Sequence, residues 1–463
     1  MKENSKLRIR KITGVSDISP LDAILAGIVM LFLFLSMFYA DLTVTAQYSL
    51  TFIDSLFDGE FASFYKNAMS SGIAPEGAVY DIGIYLVFAV WGLPVWILKK
   101  LLGISALATG SLLWFKLLLV LFAVGNALVT EKIAKELKIV TDGMSFFLFL
   151  SLLFNFPIFV AAQYDVIPLF FILCGILKSI RGDKKGFLIY FSFAFTMKPF
   201  AMLPFLIILL FNEKRLVPIG INGIVSMIPL GICKIAYMLN PVNVNSNNSF
   251  LADMFPKLIE VKIEAGNSSI SIFTLCVLIV CVFAYCYKPQ KDAAVDGRWL
   301  IWFLYLVWCG FCMFVPIYPY WIIYLSPFLV LMTLCDRTKT NLLCFFDLIA
   351  NVGMLTIMIF RYSWVYGGEN TFSYLLLKYL YRGENREHSV GGLLSSLHFD
   401  MFETVVFTAT FVALASIAYI AYQDLKCKEL NCGTIQSIHK WQWKARIGLL
   451  YGWSLLCILL ILL

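Results

Sequence analysis

The chain has 463 residues, of which 60% are apolar and only 14% charged, against about 25% charged in a typical soluble domain. That is too little polar surface to wrap a core of this size, which excludes a water-soluble globule. The net charge of +7 is spread through the loops; it bears on membrane orientation, not on nucleic acid as a partner.

The apolar residues come in runs of about 15 to 25, the length that crosses a hydrocarbon layer of roughly 30 Å. These runs are continuous and lack period-two alternation, so the expected fold class is an all-α polytopic membrane protein and not a β-barrel. The first run, 22–40, has no small-residue cleavage site and reads as a retained span. Further spans are expected at 110–130, 143–162, 165–180, 216–239, 270–287, 298–315, 319–335, 342–360, 403–423 and 445–463, with two shorter ones, 186–197 and 199–212, meeting at Lys198-Pro199. Segment 82–98 is interrupted by Gly92 and Pro94 and is ambiguous by itself.

Charge resolves that ambiguity. If 82–98 does not cross, 24 of the 36 basic residues fall in loops on the N-terminal, inner side; if it crosses, every later loop changes sides and the bias is lost. Segment 82–98 is therefore read as a re-entrant or interfacial helix on the outer face. This gives a bundle of about 13 membrane segments, N-terminus in and C-terminus out, with long outer loops at 41–109, 240–269 and 361–402. The first loop carries two amphipathic stretches, with Tyr48, Phe52 and Leu56 on one face and Phe61, Phe64, Tyr65 and Met69 on another. Helices of this pattern lie along a membrane surface. Most of the twelve cysteines sit inside apolar runs and read as small buried hydrophobes.

A few polar residues stand out against this background. Asp41 directly follows the first apolar run, where the negative end of a helix dipole and partial desolvation would both raise its pKa toward that of a general base; the plain alternative is a solvated end-of-helix acid. Gln163-Tyr164-Asp165 forms the outer tip of a hairpin, as a polar cavity lining or as a simple turn with Asp165 capping the next helix. Lys198-Pro199 joins two half-length segments, which puts a lysine at membrane depth, where a charge costs roughly 2.5–3.5 kcal/mol and wants a partner; snorkelling is the alternative. Lys116, near the outer end of 110–130, and Arg361 could join Lys198 in holding a phosphate. Tyr318-Pro-Tyr320-Trp321 opens a span from outside, as an aromatic anchor or as a surface for a sugar or isoprenoid chain. None of the three histidines lies in a span, and no nucleotide-binding or HExxH motif occurs.

Taken in order, these positions resemble the GT-C superfamily of polyprenyl-phosphate-sugar-dependent glycosyltransferases, in particular its mannosyltransferase-like bacterial members and the catalytic subunit of GPI mannosyltransferase I. The stretches that carry the resemblance are Asp41-Leu-Thr-Val, Tyr48 to Tyr65, Ala78 to Tyr85, Trp114-Phe-Lys-Leu to Phe122, Gln163-Tyr-Asp165 and Met197-Lys-Pro-Phe200. The likeness covers about residues 15–215, with an echo at Tyr318 to Pro327. It implies a catalytic module at 1–215 and a variable transmembrane module at 216–463. It also implies inverting transfer of a mannose-like hexose from a polyprenyl-phosphate donor to a glycan, lipid or protein acceptor on the extracytoplasmic face of a cell membrane, bacterial in preference to endoplasmic reticulum. In that scheme Asp41 is the base, Asp81, Gln163 and Asp165 assist or bind acceptor, Lys116, Lys198 and Arg361 hold the donor phosphate, and Tyr80, Tyr318 and Tyr320 line the cavity. Unlike much of the superfamily, Asp41 has no acid at +1 or +2, so a metal-independent, single-base scheme without cofactor is expected. A polysaccharide polymerase or ligase using outer-loop arginines such as Arg382 and Arg386, or a lipid-linked glycan transporter, are the alternatives.

Overall fold

The computed structural model describes residues 19–70, 80–139, 143–238, 255–290, 292–336, 338–370, 388–426 and 438–462. Arg382 and Arg386 lie outside them. Among the described residues, seven helices are long and apolar enough to cross a membrane, and five shorter apolar helices pack with them. The chain is thus an all-α membrane protein of several spans. One departure is a small exposed hairpin, Lys262–Ala265 paired antiparallel with Ser268–Ser271, its turn made by Gly266 at φ +62°, a left-handed conformation that glycine adopts without steric penalty.

Most expected spans appear with small shifts of their ends. Thr109–Glu136, Ala293–Phe314, Thr340–Arg361 and Glu403–Lys426 are each a single helix. At the centre, every residue of Ser326–Thr333 is buried. It packs against Ala293–Phe314, Thr340–Arg361 and Glu403–Lys426. Two fully buried charges fix the last helix, Lys440–Leu462, to the bundle: Arg446 pairs with Asp347 and lies 3.9 Å from the Phe147 ring centre.

Four expectations change. The first span stops at Ser36, because Met37 is extended (φ −121°, ψ 141°) and ends the helix. The run 143–162 is broken into Met144–Leu150, Leu152–Asn155 and a wide π-turn, Phe156–Val160. Ser151 is extended, and Pro157 offers no N–H to continue the ladder. The run 319–335 starts as a 3₁₀ turn, Pro319–Tyr324, before Ser326–Thr333. Ile82–Leu102 is one continuous helix that absorbs Pro94, without the reversal that a re-entrant segment requires.

Ile82–Leu102 lies side by side with Asp41–Phe57 and runs in the same direction. Asp41 meets Tyr80 at one end, Tyr48 meets Tyr85, and Asp54 accepts from the Trp96 indole (2.7 Å) at the other. Lys99 and Lys100 also pair with Asp54, at 3.4 and 3.0 Å. The pair is seated on the start of Thr109–Glu136, where Trp91 and Trp114 stack at 4.7 Å and each indole N–H donates to the other residue's carbonyl, at 2.8 and 2.9 Å.

Candidate active site

Asp41 is the first residue of Asp41–Phe57, four residues beyond the extended Met37. It therefore sits at the positive end of a helix dipole, the reverse of the end-of-span placement expected from sequence. Its carboxyl pKa is still raised. Burial is the main cause; the Gln163 hydrogen bond, the Lys198 charge and the Tyr80 hydroxyl oppose it, and Asp165 adds to it. The desolvation half of the sequence argument holds and the dipole half has the wrong sign.

Asp41 Oδ2 accepts from Gln163 Nε2 at 2.8 Å and from the Tyr80 hydroxyl at 3.3 Å. Gln163 is placed by the turn that ends the π-segment: Ala162 takes a positive φ of 52°, and Gln163 N–H donates to Pro157 O at 2.8 Å. Tyr80 is held by two other tyrosines, since its carbonyl accepts from the Tyr65 hydroxyl (3.0 Å) and its N–H donates to the Tyr85 hydroxyl (3.1 Å).

Lys198 is extended, as the residue before a proline prefers, and is buried with its Nζ 3.0 Å from Asp165 Oδ1 and donating to the Tyr164 hydroxyl at 3.0 Å. Four rings surround the ammonium, with centres at 4.5 Å (Tyr164), 5.7 Å (Trp321), 5.8 Å (Tyr80) and 5.9 Å (Phe200). Asp165 is fully buried; its Oδ1 also accepts from the Tyr324 hydroxyl at 2.9 Å. Two acceptor atoms in this cluster, Gln163 Oε1 and Asp165 Oδ2, are buried and have no hydrogen-bond donor among the described residues. Buried acceptors of this kind are uncommon and call for a donor.

Asp81 adjoins the cluster and pairs with Lys234; burial raises its carboxyl pKa, against the opposing charges of Lys234 and then Lys198. Tyr318 and Tyr320 stack at 5.9 Å, and Lys257 stands 4.1 Å over the Tyr318 ring. Tyr320 faces Trp364, which in turn stacks on Tyr39 at 4.1 Å. The structure thus brings together Asp41, Tyr80, Asp81, Gln163, Asp165 and Lys198, with Tyr318 and Tyr320 alongside.

It does not bring in the other two cations. Lys116 is buried and gives its ammonium to the carbonyls of Leu33 (2.9 Å), Phe34 (2.9 Å), Phe159 (2.8 Å) and Met37. Arg361 pairs with Glu403 at 2.7 Å in an exposed position. Sequence reasoning missed Tyr324, whose hydroxyl fixes Asp165, and Trp364. Tyr324 was findable, since it falls four residues after Tyr320 in an otherwise apolar run, where a phenol hydroxyl needs a partner.

No family model matches the chain, and no curated protein or solved structure is detectably similar to it.

Proposed function

We propose that the protein is a membrane glycosyltransferase that moves a hexose from a polyprenyl-phosphate donor to a hydroxyl of a glycan, lipid or protein acceptor on the extracytoplasmic face, in one inverting step. The observation that carries this reading is a half-buried carboxylate of raised pKa, Asp41, set beside a buried ammonium, Lys198, within one aromatic-walled cluster.

A base and an anion-stabilising cation are the two groups this reaction needs. Asp41 takes the acceptor hydroxyl proton as that oxygen bonds to the anomeric carbon. The bond from that carbon to the donor phosphate oxygen breaks in the same step, and the lipid phosphate leaves with the electron pair. Lys198 uses two of its three N–H donors on Tyr164 and Asp165 and offers the third to the departing phosphate. Lys116 and Arg361 are committed elsewhere, so of the three cations expected at the phosphate Lys198 keeps the role. Asp41–Phe57 and Ile82–Leu102 both begin at the cluster, and two positive helix ends favour an anion there. The two acceptors without donors, Gln163 Oε1 and Asp165 Oδ2, suit the hydroxyls of a sugar.

In this reading Asp41–Phe57 lies at the outer face with Ile82–Leu102 beside it, although Ile82–Leu102 is also long and apolar enough to cross a membrane. Asp54 with Lys99 and Lys100 joins the far ends of the two helices.

The test is transfer from a panel of radiolabelled polyprenyl-phosphate monosaccharides in proteoliposomes supplied with native acceptor lipids. Transfer from one donor, reduced by a factor of about 10² to 10⁴ in Asp41→Asn while donor binding persists, is the expected result. Transfer from no monophosphate donor would overturn the reading.

A further inference from the structure

We propose that Lys116 is a positioning residue that holds Asp41 and Gln163 at their working separation by tying the two backbone segments that carry them. Its side chain reaches from Thr109–Glu136 to both segments at once: Leu33 and Phe34 end the helix before Asp41, Met37 lies four residues before Asp41, and Phe159 lies four residues before Gln163.

Two of the carbonyls it takes, those of Phe34 and Phe159, are left by local structure without their helical donors, while Leu33 O keeps its own, the Met37 N–H at 3.0 Å. In a continuing α-helix Phe34 O would accept from Phe38 N–H, but the extended Met37 turns the chain and Phe38 N–H donates instead to Asn370 O, at 2.8 Å. Phe159 O would likewise accept from Gln163 N–H, which the turn diverts to Pro157 O, at 2.8 Å. Each segment thus bends away from helical geometry just before its site residue, and each bend frees a carbonyl in a buried place. Unpaired, such groups carry a desolvation penalty. An ammonium with three radiating donors on a flexible stem can serve both, which a planar guanidinium or a single-donor hydroxyl cannot do with the same reach.

The bends and the knot depend on one another. Releasing the lysine frees the Met37 and Phe159 turns to relax toward helix, which rotates Asp41 and Gln163 away from the contact that Asp41 Oδ2 now makes with Gln163 Nε2 at 2.8 Å. The lysine touches neither reacting group, and its effect reaches them through the backbone.

The experiment has two arms. In the first, Asp41→Cys and Gln163→Cys are combined and joined with a short bis-methanethiosulfonate reagent, the linked peptide being read by mass spectrometry apart from the twelve native cysteines. A control pair, Asp54→Cys with Lys100→Cys, reports on the far ends of Asp41–Phe57 and Ile82–Leu102, which meet at the Lys100–Asp54 ion pair away from the carbonyls that Lys116 holds. Adding Lys116→Met or Lys116→Gln is expected to slow linkage of the site pair several-fold and leave the control pair unchanged. Equal linkage with and without the lysine overturns the proposal. So does loss of both linkages, or failure of both variants to fold, which would make Lys116 a general folding residue.

The second arm, which rests on the transferase reading, measures turnover in the two single variants. A fall of roughly 100-fold at saturating donor, the size expected for about 1 Å of misplacement, with the half-saturating donor concentration unchanged, supports positioning. A change confined to donor binding would restore Lys116 to the phosphate and overturn it. If the wild-type protein transfers nothing, the transferase reading fails while the cross-linking arm still decides the role of Lys116.

Discussion

Asp41 combines a raised carboxyl pKa with partners that favour its charged form, and the balance has a definite sign. Its folded pKa lies above 3.8, chiefly through burial, so a base reaction is slow at acidic pH and gains speed as pH rises through the folded value. Gln163→Leu removes a donor to the carboxylate, so the acid limb of the pH–rate profile is expected to move to higher pH; a profile that stays in place would show that Gln163 does not tune Asp41. The same sign governs stability. A group with a raised folded pKa lends most to stability while protonated, below the unfolded pKa, and loses that contribution as pH rises through the folded value. At neutral pH the charged Asp41 therefore burdens the fold. Asp41→Asn, a neutral isostere, is expected to melt no lower than wild type in detergent at that pH while losing transfer. Asp41, Gln163, Asp165 and Lys198 were all legible from sequence as polar residues at the ends of apolar runs, where charge demands a reason. Lys116 was legible as unusual but not in its role, because a lysine that needs an anion and one that needs bent-backbone carbonyls look alike until the bends are seen.

Elements set the site through close approach as much as through hydrogen bonds. Gly83, the second residue of Ile82–Leu102, lies so close to Thr196 that an added Cβ would stand 2.5 Å from its carbonyl oxygen and 2.3 Å from its hydroxyl. Thr196 is two residues before Lys198, so this contact seats the lysine's segment against the helix that starts at Asp81. Backbone cannot swing aside as a side-chain tip can. Gly83→Ala is expected to cost about 1–3 kcal/mol, the range for overpacking, seen as a lower denaturation midpoint, whereas Gly27→Ala, with open space around it, should be neutral. At this scale sequence was a partial guide. The runs of apolar residues gave most helices within a few residues of their ends, since length and hydropathy dominate there. The breaks at Ser151 and at Pro157 were not foreseen as a π-turn, because a proline permits several local geometries and the choice depends on neighbours such as Asn351, which accepts from the Ser151 hydroxyl at 2.7 Å. The continuity of Ile82–Leu102 was hidden for a similar reason. Pro94 and Gly92 lower helix propensity, but Gly92 is where Phe115 and Leu50 pack, and tertiary contact outweighs the local preference.

Across the whole molecule, buried charges outside the site act as joints between distant stretches of chain. Arg446 and Asp347 are both almost wholly inaccessible, and Arg298 reaches the carbonyls of Leu137 (2.8 Å) and Lys138 (3.0 Å) as well as Asp424 at 3.6 Å. Removing one member of a buried pair leaves an uncompensated charge. Arg446→Met alone is expected to cost about 3–5 kcal/mol, while Arg446→Met with Asp347→Leu should recover most of it, as thermal melts of the two proteins would compare. Such pairings join residues 99 positions apart and cannot be read from spacing; the sequence shows two charges in apolar runs and nothing of their meeting. The stacked Trp91 and Trp114 carry a consequence of another kind. Two indoles 4.7 Å apart with rings inclined by only 13° share their excited states, so the pair should give an exciton signature in circular dichroism that Trp91→Phe removes and that is thereby separated from that of the other close pair, Trp299 and Trp302 at 5.6 Å. That band is a built-in optical gauge of whether the helix pair carrying Asp41 and Asp54 is seated on the bundle, readable in a bilayer without any label, and lifting of the pair would extinguish it.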